Sequence, residues 1–250
     1  MRSATIGSLM ICAAAIAFPA AAQTPPPAPA ISRTAVASTK LPTVADTPLY
    51  FKAVSVAIPA GARSSVSTAN GILYQLAGST EVSIGGEIKI LSAGEGLFIA
   101  SGNAATLKAA DGGASMLVHF LLAPTADLDK PLEAPPAVVK ELYRTVAPLP
   151  ALRPGPYDLN LTRITFPAQM ASNPPHHRSG AALYFIVSGT GANTVGGQLE
   201  ARPPGSLIYE PFGLVHQWGN PGDVPLTFLA FNINPEGVAA VLPGAPVKSQ

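Results

Sequence analysis

From Leu49 onward the chain breaks into short runs in which apolar and polar residues alternate, each closed by glycine or proline. Tyr50 to Ile58 alternates and stops at Pro59-Ala60-Gly61, and Gly71 to Leu76 is closed by Gly78. Val82-Ser83-Ile84 and Ile88-Lys89-Ile90 flank Gly85-Gly86, the pattern of a two-residue hairpin. Leu97 to Ala100 and Met116 to Leu122 add two further runs. A period of two with turn residues at every boundary predicts strands throughout. The exception is Pro135 to Arg144, where Val138 with Leu142 and Val139 with Tyr143 form i,i+4 pairs and predict a two-turn helix.

The second half repeats the first. Gly196-Gly197 follows Gly85-Gly86 by 111 positions, and Phe231 to Pro235 (FNINP) follows Phe120 to Pro124 (FLLAP) at the same offset. Tyr184 answers Tyr74 with a shift of one residue, as a small loop indel gives. A period this long indicates a duplicated domain rather than a solenoid. The expected organisation is all-β: a signal segment over 1–22, a solvated Pro/Ala-rich leader over 23–45, one β domain over 46–124, a linker carrying the short helix over 125–156, a second β domain over 157–236, and a loop-like tail over 237–250.

Gly205 to Asn220 (GSLIYEPFGLVHQWGN) holds Gly205, Pro211, Gly213, His216 and Asn220 at the spacing G-x5-P-x-G-x2-H-x3-N. This stretch resembles the second motif of the cupin superfamily. The resemblance implies two tandem double-stranded β-helix barrels, a bicupin, with His216 aimed into the second barrel as a metal ligand. On its strand Trp218 shares the face of His216, since alternate strand residues point the same way. Trp218 and Gln217 are expected in the pocket.

The first cupin motif usually reads H-x-H-x3–4-E-x6-G. Here the corresponding stretch is PPHHRSGAALYFIVSG, with Gly189 at the closing glycine and Ala182 at the glutamate. His177 then takes the second histidine position and Pro175 the first, with His176 beside it. Adjacent residues on a regular strand face opposite ways, so a bulge after Pro174-Pro175 is needed to turn both histidines inward. The resemblance thus implies a divalent transition metal (Fe, Mn, Ni, Zn or Cu) on His176, His177 and His216; the open alternative is a pocket without metal. Tyr184 falls on the inward face, placed to donate a proton or orient a substrate, or to serve as core. Arg163 meets a substrate carboxylate or stands as a surface charge. Glu210 either replaces the carboxylate lost at Ala182 or, sitting in the turn, is solvated. The first domain has neither proline nor histidine in the matching segment AGEGLFIASGNAATLK, and His119 reads as a wall residue.

The function expected from this is an exported metal-dependent cupin enzyme acting on a small organic molecule, with dioxygenase chemistry favoured over isomerase or lyase. The alternative is a non-enzymatic cupin that binds a small ligand without metal. Charged residues make up 12% of the chain and the net charge is +1, which gives no electrostatic footing for nucleic acid or an anionic membrane. Arg2, the apolar run Ile6 to Phe18 and Ala20-Ala21-Ala22 read as a secretory signal, so the chain is expected in the periplasm or outside the cell, without membrane insertion after cleavage. The only cysteine, Cys12, leaves with that signal, which excludes disulfides and thiolate chemistry from the mature chain. Exposed strand edges make a homodimer plausible.

Overall fold

A computed structural model describes residues 30–44, 47–67, 69–149, 152 and 154–244. The segment read as a signal lies outside the described residues. The order of strands is β1 (Ser32–Val44), β2 (Leu49–Ile58), β3 (Arg63–Ser67), β4 (Asn70–Ala77), β5 (Ser79–Ile84), β6 (Glu87–Ser92), β7 (Gly96–Ile99), β8 (Ala104–Ala109), β9 (Ser115–Pro124) and β10 (Val138–Arg144). The second half continues with β11 (Gly155–Phe166), β12 (His176–Arg178), β13 (Ala181–Ser188), β14 (Gly191–Val195), β15 (Gln198–Arg202), β16 (Leu207–Glu210), β17 (His216–Gly219), β18 (Leu226–Pro235) and β19 (Val241–Pro243). Among the described residues the only helical turn is the 3-10 turn Thr125–Asp127, and no helix is long and apolar enough to cross a membrane.

Each half is a barrel of two antiparallel sheets. The first combines β10-β2-β9-β4-β7 with β3-β8-β5-β6, and the second β1-β11-β18-β13-β16 with β15-β14-β17-β12-β19. The 111-residue offset holds strand for strand: Asn70–Ala77 becomes Ala181–Ser188, Gly96–Ile99 becomes Leu207–Glu210, and Ser115–Pro124 becomes Leu226–Pro235. Registers repeat too, with Leu73 opposite His119 and Tyr184 opposite Ala230. Tyr184 therefore answers Leu73 with no indel, which corrects the one-residue shift expected from the two tyrosines.

Three expectations change. The predicted helix is strand β10, paired with β2 from Val138↔Ala57 to Arg144↔Lys52. Its β-branched and aromatic residues suit a sheet edge, and pairing to an open strand outweighs weak local helix preference. The leader is not solvated throughout: β1 pairs with β11 from Ser32↔Thr165 to Val44↔Gly155. It supplies Leu41 and Val44 to the core between the barrels. The tail contributes β19, which pairs with β12.

That core lies where the sheet β10-β2-β9-β4-β7 of the first barrel meets the sheet β1-β11-β18-β13-β16 of the second. Phe51, Phe120 and Phe231 converge there, with ring centroids 5.1 Å apart for Phe51–Phe231 and 5.7 Å for Phe120–Phe231. Burying such rings is the main stabilising term, at about 25 cal/mol per Å2 of apolar area. The first barrel is filled by its own side chains, among them Leu73, Leu91, Leu107 and Leu117. His119 is completely buried, and its Nδ1 lies 2.6 Å from Oε1 of Glu133, a buried residue of the linker. The wall histidine is thus latched to the linker by a carboxylate.

Candidate functional site

The five motif residues divide their labour. Gly205 (φ +84°) and Gly213 (φ +75°) occupy left-handed turn positions that favour glycine. Asn220, fully buried, donates to the carbonyls of Pro167 and Val224 at 2.8 Å and pins the loop that follows β17. His216 reaches the barrel interior, where it is 1% exposed.

His216 stands opposite His176 across the β12–β17 ladder, so the two rings share a face, with centroids 4.2 Å apart at 61°. β12 is regular, with no bulge. His176 and Arg178 therefore line the cavity of the second barrel, while His177 turns away and places Nδ1 3.3 Å from the Arg178 carbonyl. The shorter motif spacing is the one the structure uses: His176-x-Arg178-x3-Ala182-x6-Gly189. An arginine occupies the second histidine position and an alanine the glutamate position.

The carboxylate comes instead from Glu210, the last residue of β16 and directly across the ladder from Ala182. It is 1% exposed, not solvated. Its Oε1 accepts from Trp218 Nε1 at 2.8 Å, and its Oε2 lies 2.9 Å from His216 Nε2 and 3.5 Å from Arg178 Nε. Neither Oε2 contact is aligned as a hydrogen bond, so Glu210 Oε2, His216 Nε2 and Arg178 Nε are buried polar atoms without a hydrogen-bond partner. Arg178 donates through Nη2 to the Tyr184 hydroxyl, and its Cζ lies 5.2 Å from the centroid of that ring. Burial pushes the Arg178 guanidinium down, and the Glu210 charge opposes that shift. Tyr184 meets Trp218 edge-on at 5.6 Å, and Trp218 stacks on Phe228 at 5.2 Å, which builds a rigid aromatic floor.

Both site histidines place Nδ1 on the carbonyl two residues before them: His176 on Pro174 at 3.0 Å and His216 on Leu214 at 2.9 Å. A carbonyl only accepts, so at His176 this geometry assigns the proton to Nδ1 and leaves Nε2 for the cavity. Burial lowers the pKa of His176 below its ordinary value, and the Pro174 carbonyl partly opposes this.

The cavity has a volume of about 660 Å3, and its walls include Arg33, Asn160, His176, Arg178, Trp218 and Asn232. Two expected site residues face elsewhere. Arg163 alternates with Thr162 and Ile164, which line the cavity, and reaches Gly94 of the first barrel at 3.5 Å. Gln217 donates to the Asn173 carbonyl at 2.8 Å on the outer side of β17. Sequence reasoning missed Arg178, which the shorter spacing reveals. It also missed Arg33 and Asn232, whose roles depend on strand partners distant in the chain.

Among the described residues no three His, Cys, Asp or Glu side chains stand at metal-holding spacing. With His177 turned out, the three-histidine set does not form. Arg178 Nε already lies 3.5 Å from Glu210 Oε2, so a divalent ion on that carboxylate would meet the like charge of the guanidinium inside the barrel. The guanidinium supplies positive charge where cupins place a metal ligand, and the residues present do not fit a metal.

Two duplicated barrels joined across a shared aromatic core define the two-barrel cupin architecture. Residues 162–232 match the Cupin domain family (Cupin_2), which spans the second barrel from β11 to β18. The chain thus carries a cupin domain in its second barrel. It is similar in fold to the salicylate 1,2-dioxygenase from Pseudaminobacter salicylatoxidans, with a TM-score of 0.51 and 11% identity over 74% of this chain and 72% of that one. A variant of the Bacillus subtilis oxalate decarboxylase OxdC gives 0.50 and 16% over 82% and 78%, and AerE from Microcystis aeruginosa 0.51 and 15% over 76% and 95%. At these identities the likeness is one of fold. No curated protein matches the chain by sequence.

Proposed function

We propose that the second barrel is the active site of a cupin enzyme that moves a proton on a small organic molecule without a metal. The observation that carries this reading is the cavity floor. His176, with its proton affinity lowered by burial, lines the cavity beside Arg178, whose Nε lies 3.5 Å from a buried Glu210 carboxylate that also stands 2.9 Å from His216 Nε2.

In this reading His176 Nε2 is the base, kept neutral near pH 7 and oriented by the Pro174 carbonyl. Arg178, held against Tyr184 and Glu210, supplies a fixed positive charge for the anion that forms when the proton leaves. Glu210 is itself anchored by Trp218, so the guanidinium cannot drift with the substrate. Trp218 and Phe228 keep water from the reacting face. Isomerisation or elimination fits this set better than dioxygenation, which calls for a redox metal that the side chains do not fit. Read with the export signal, the enzyme acts in the periplasm or outside the cell.

The test is solvent-deuterium exchange into a panel of small carboxylic acids with acidic C–H bonds, before and after chelation, alongside elemental analysis of tag-free protein. Exchange that survives chelation and disappears in His176→Gln supports the proposal. Exchange lost on chelation and restored by an added metal overturns the metal-free mechanism. Absence of exchange across the panel overturns the enzyme reading in favour of ligand binding alone.

A further inference from the structure

We infer that the second-barrel cavity selects a small hydroxylated carboxylic acid, with the carboxylate on Arg33 and the hydroxyl on Asn232. The inference rests on reading that barrel as the site, but not on the reaction.

Arg33 comes from β1, the strand that the first part of the chain lends to the second barrel. It pairs with Ile164, whose side chain is buried in the barrel and lines the cavity, so Arg33 lies on the same face. The other cations lining the cavity are already neutralised: Lys40 is paired with Glu236 and Arg178 with Glu210. Arg33 has no ion pair among the described residues. Its charge is felt at Arg178, so the two guanidiniums lie within electrostatic reach of each other. A planar guanidinium with free donors suits a ligand carboxylate, which it can hold with two parallel hydrogen bonds.

Asn232 lies further along the same wall and is 4% exposed. Its Nδ2 donates to Asn160 Oδ1 at 2.8 Å and to the Ala230 carbonyl at 2.9 Å, while its Oδ1 has no donor. A buried amide oxygen without a donor is costly, and a ligand hydroxyl supplies one. Ile164, Trp218 and Phe228 give the remaining wall an apolar surface, which suits a ring-sized hydrocarbon body.

The experiment is calorimetric titration of the full mature chain, in chelator, with the three hydroxybenzoate isomers, benzoate and the matching hydroxybenzyl alcohols. At least one hydroxybenzoate is expected to bind about tenfold tighter than both benzoate and its own alcohol. Arg33→Gln is expected to erase the preference for acid over alcohol while keeping that for hydroxybenzoate over benzoate, and Arg33→Lys to restore part of the former. Arg33 is exposed on an edge strand, so circular dichroism should show an unchanged fold. Failure of every hydroxybenzoate to bind, or equal binding by wild type and Arg33→Gln, overturns the inference. Binding without deuterium exchange supports it while sinking the enzymatic reading.

Discussion

Glu210 stands directly opposite Ala182 on the β13–β16 ladder, so their side chains share the inner face of the second barrel about 5 Å apart. The carboxylate missing from β13 is therefore present in the same space, delivered from the neighbouring strand. The same ladder in the first barrel places Ile99 opposite Gly71, at the positions 111 residues earlier. Ile99 is packed in the first core. At this position one barrel places a carboxylate and the other an isoleucine, although the two backbones repeat strand for strand.

The Arg178–Glu210 pair should behave as a buried ion pair. Arg178→Met alone is expected to cost about 3–5 kcal/mol, because Glu210 would be left charged in the barrel. Arg178→Met combined with Glu210→Leu should recover most of that loss. Denaturant unfolding of the two single variants and the double variant checks this. Additive losses would mean that the two side chains act independently.

His176 links stability to pH. Its folded pKa lies below the ordinary histidine value of 6.5, so the unfolded chain takes up the proton first as pH falls. Stability is expected to decline below about pH 6.5 and to level off once the folded histidine also protonates. Urea midpoints at pH 7.5, 6.0 and 5.0 should show the decline in wild type, with a shallower one in His176→Gln.

Removing residues through Val44 strips β1 from β11. Exchange of the β11 amides that face β1 should accelerate on the order of tenfold or more, while β4 and β9 of the first barrel change little. The same truncation removes Arg33 and opens one wall of the cavity. Hydrogen exchange resolved by strand distinguishes this from global loosening.

In the first barrel, Glu133→Ala leaves His119 buried without its partner and frees the linker. A loss of about 2–4 kcal/mol is expected. Ligand binding in the second barrel should remain within twofold of wild type, since neither residue lines that cavity. Unfolding curves and the titration above measure the two effects separately.

Much of this protein was legible in its residues. Period-two alternation and glycine turns identify the strands, because side-chain alternation and φ preference are local properties. The 111-residue repeat and the Gly205 to Asn220 motif lead to a two-barrel cupin with His216 inside. Other features depended on partners far away in the chain. Val138 to Arg144 satisfies a helical spacing as well as a strand, and only the open edge of β2 decides between them. The leader looked solvated because its own residues are small, yet β11 offers it a ladder. His176 rather than His177 faces the cavity because β12 runs without a bulge. Glu210 is buried because Trp218, Arg178 and His216 surround it from other strands. Local sequence sets which face a residue takes on its own strand, whereas tertiary packing determines the neighbours on that face and therefore the chemistry they make together.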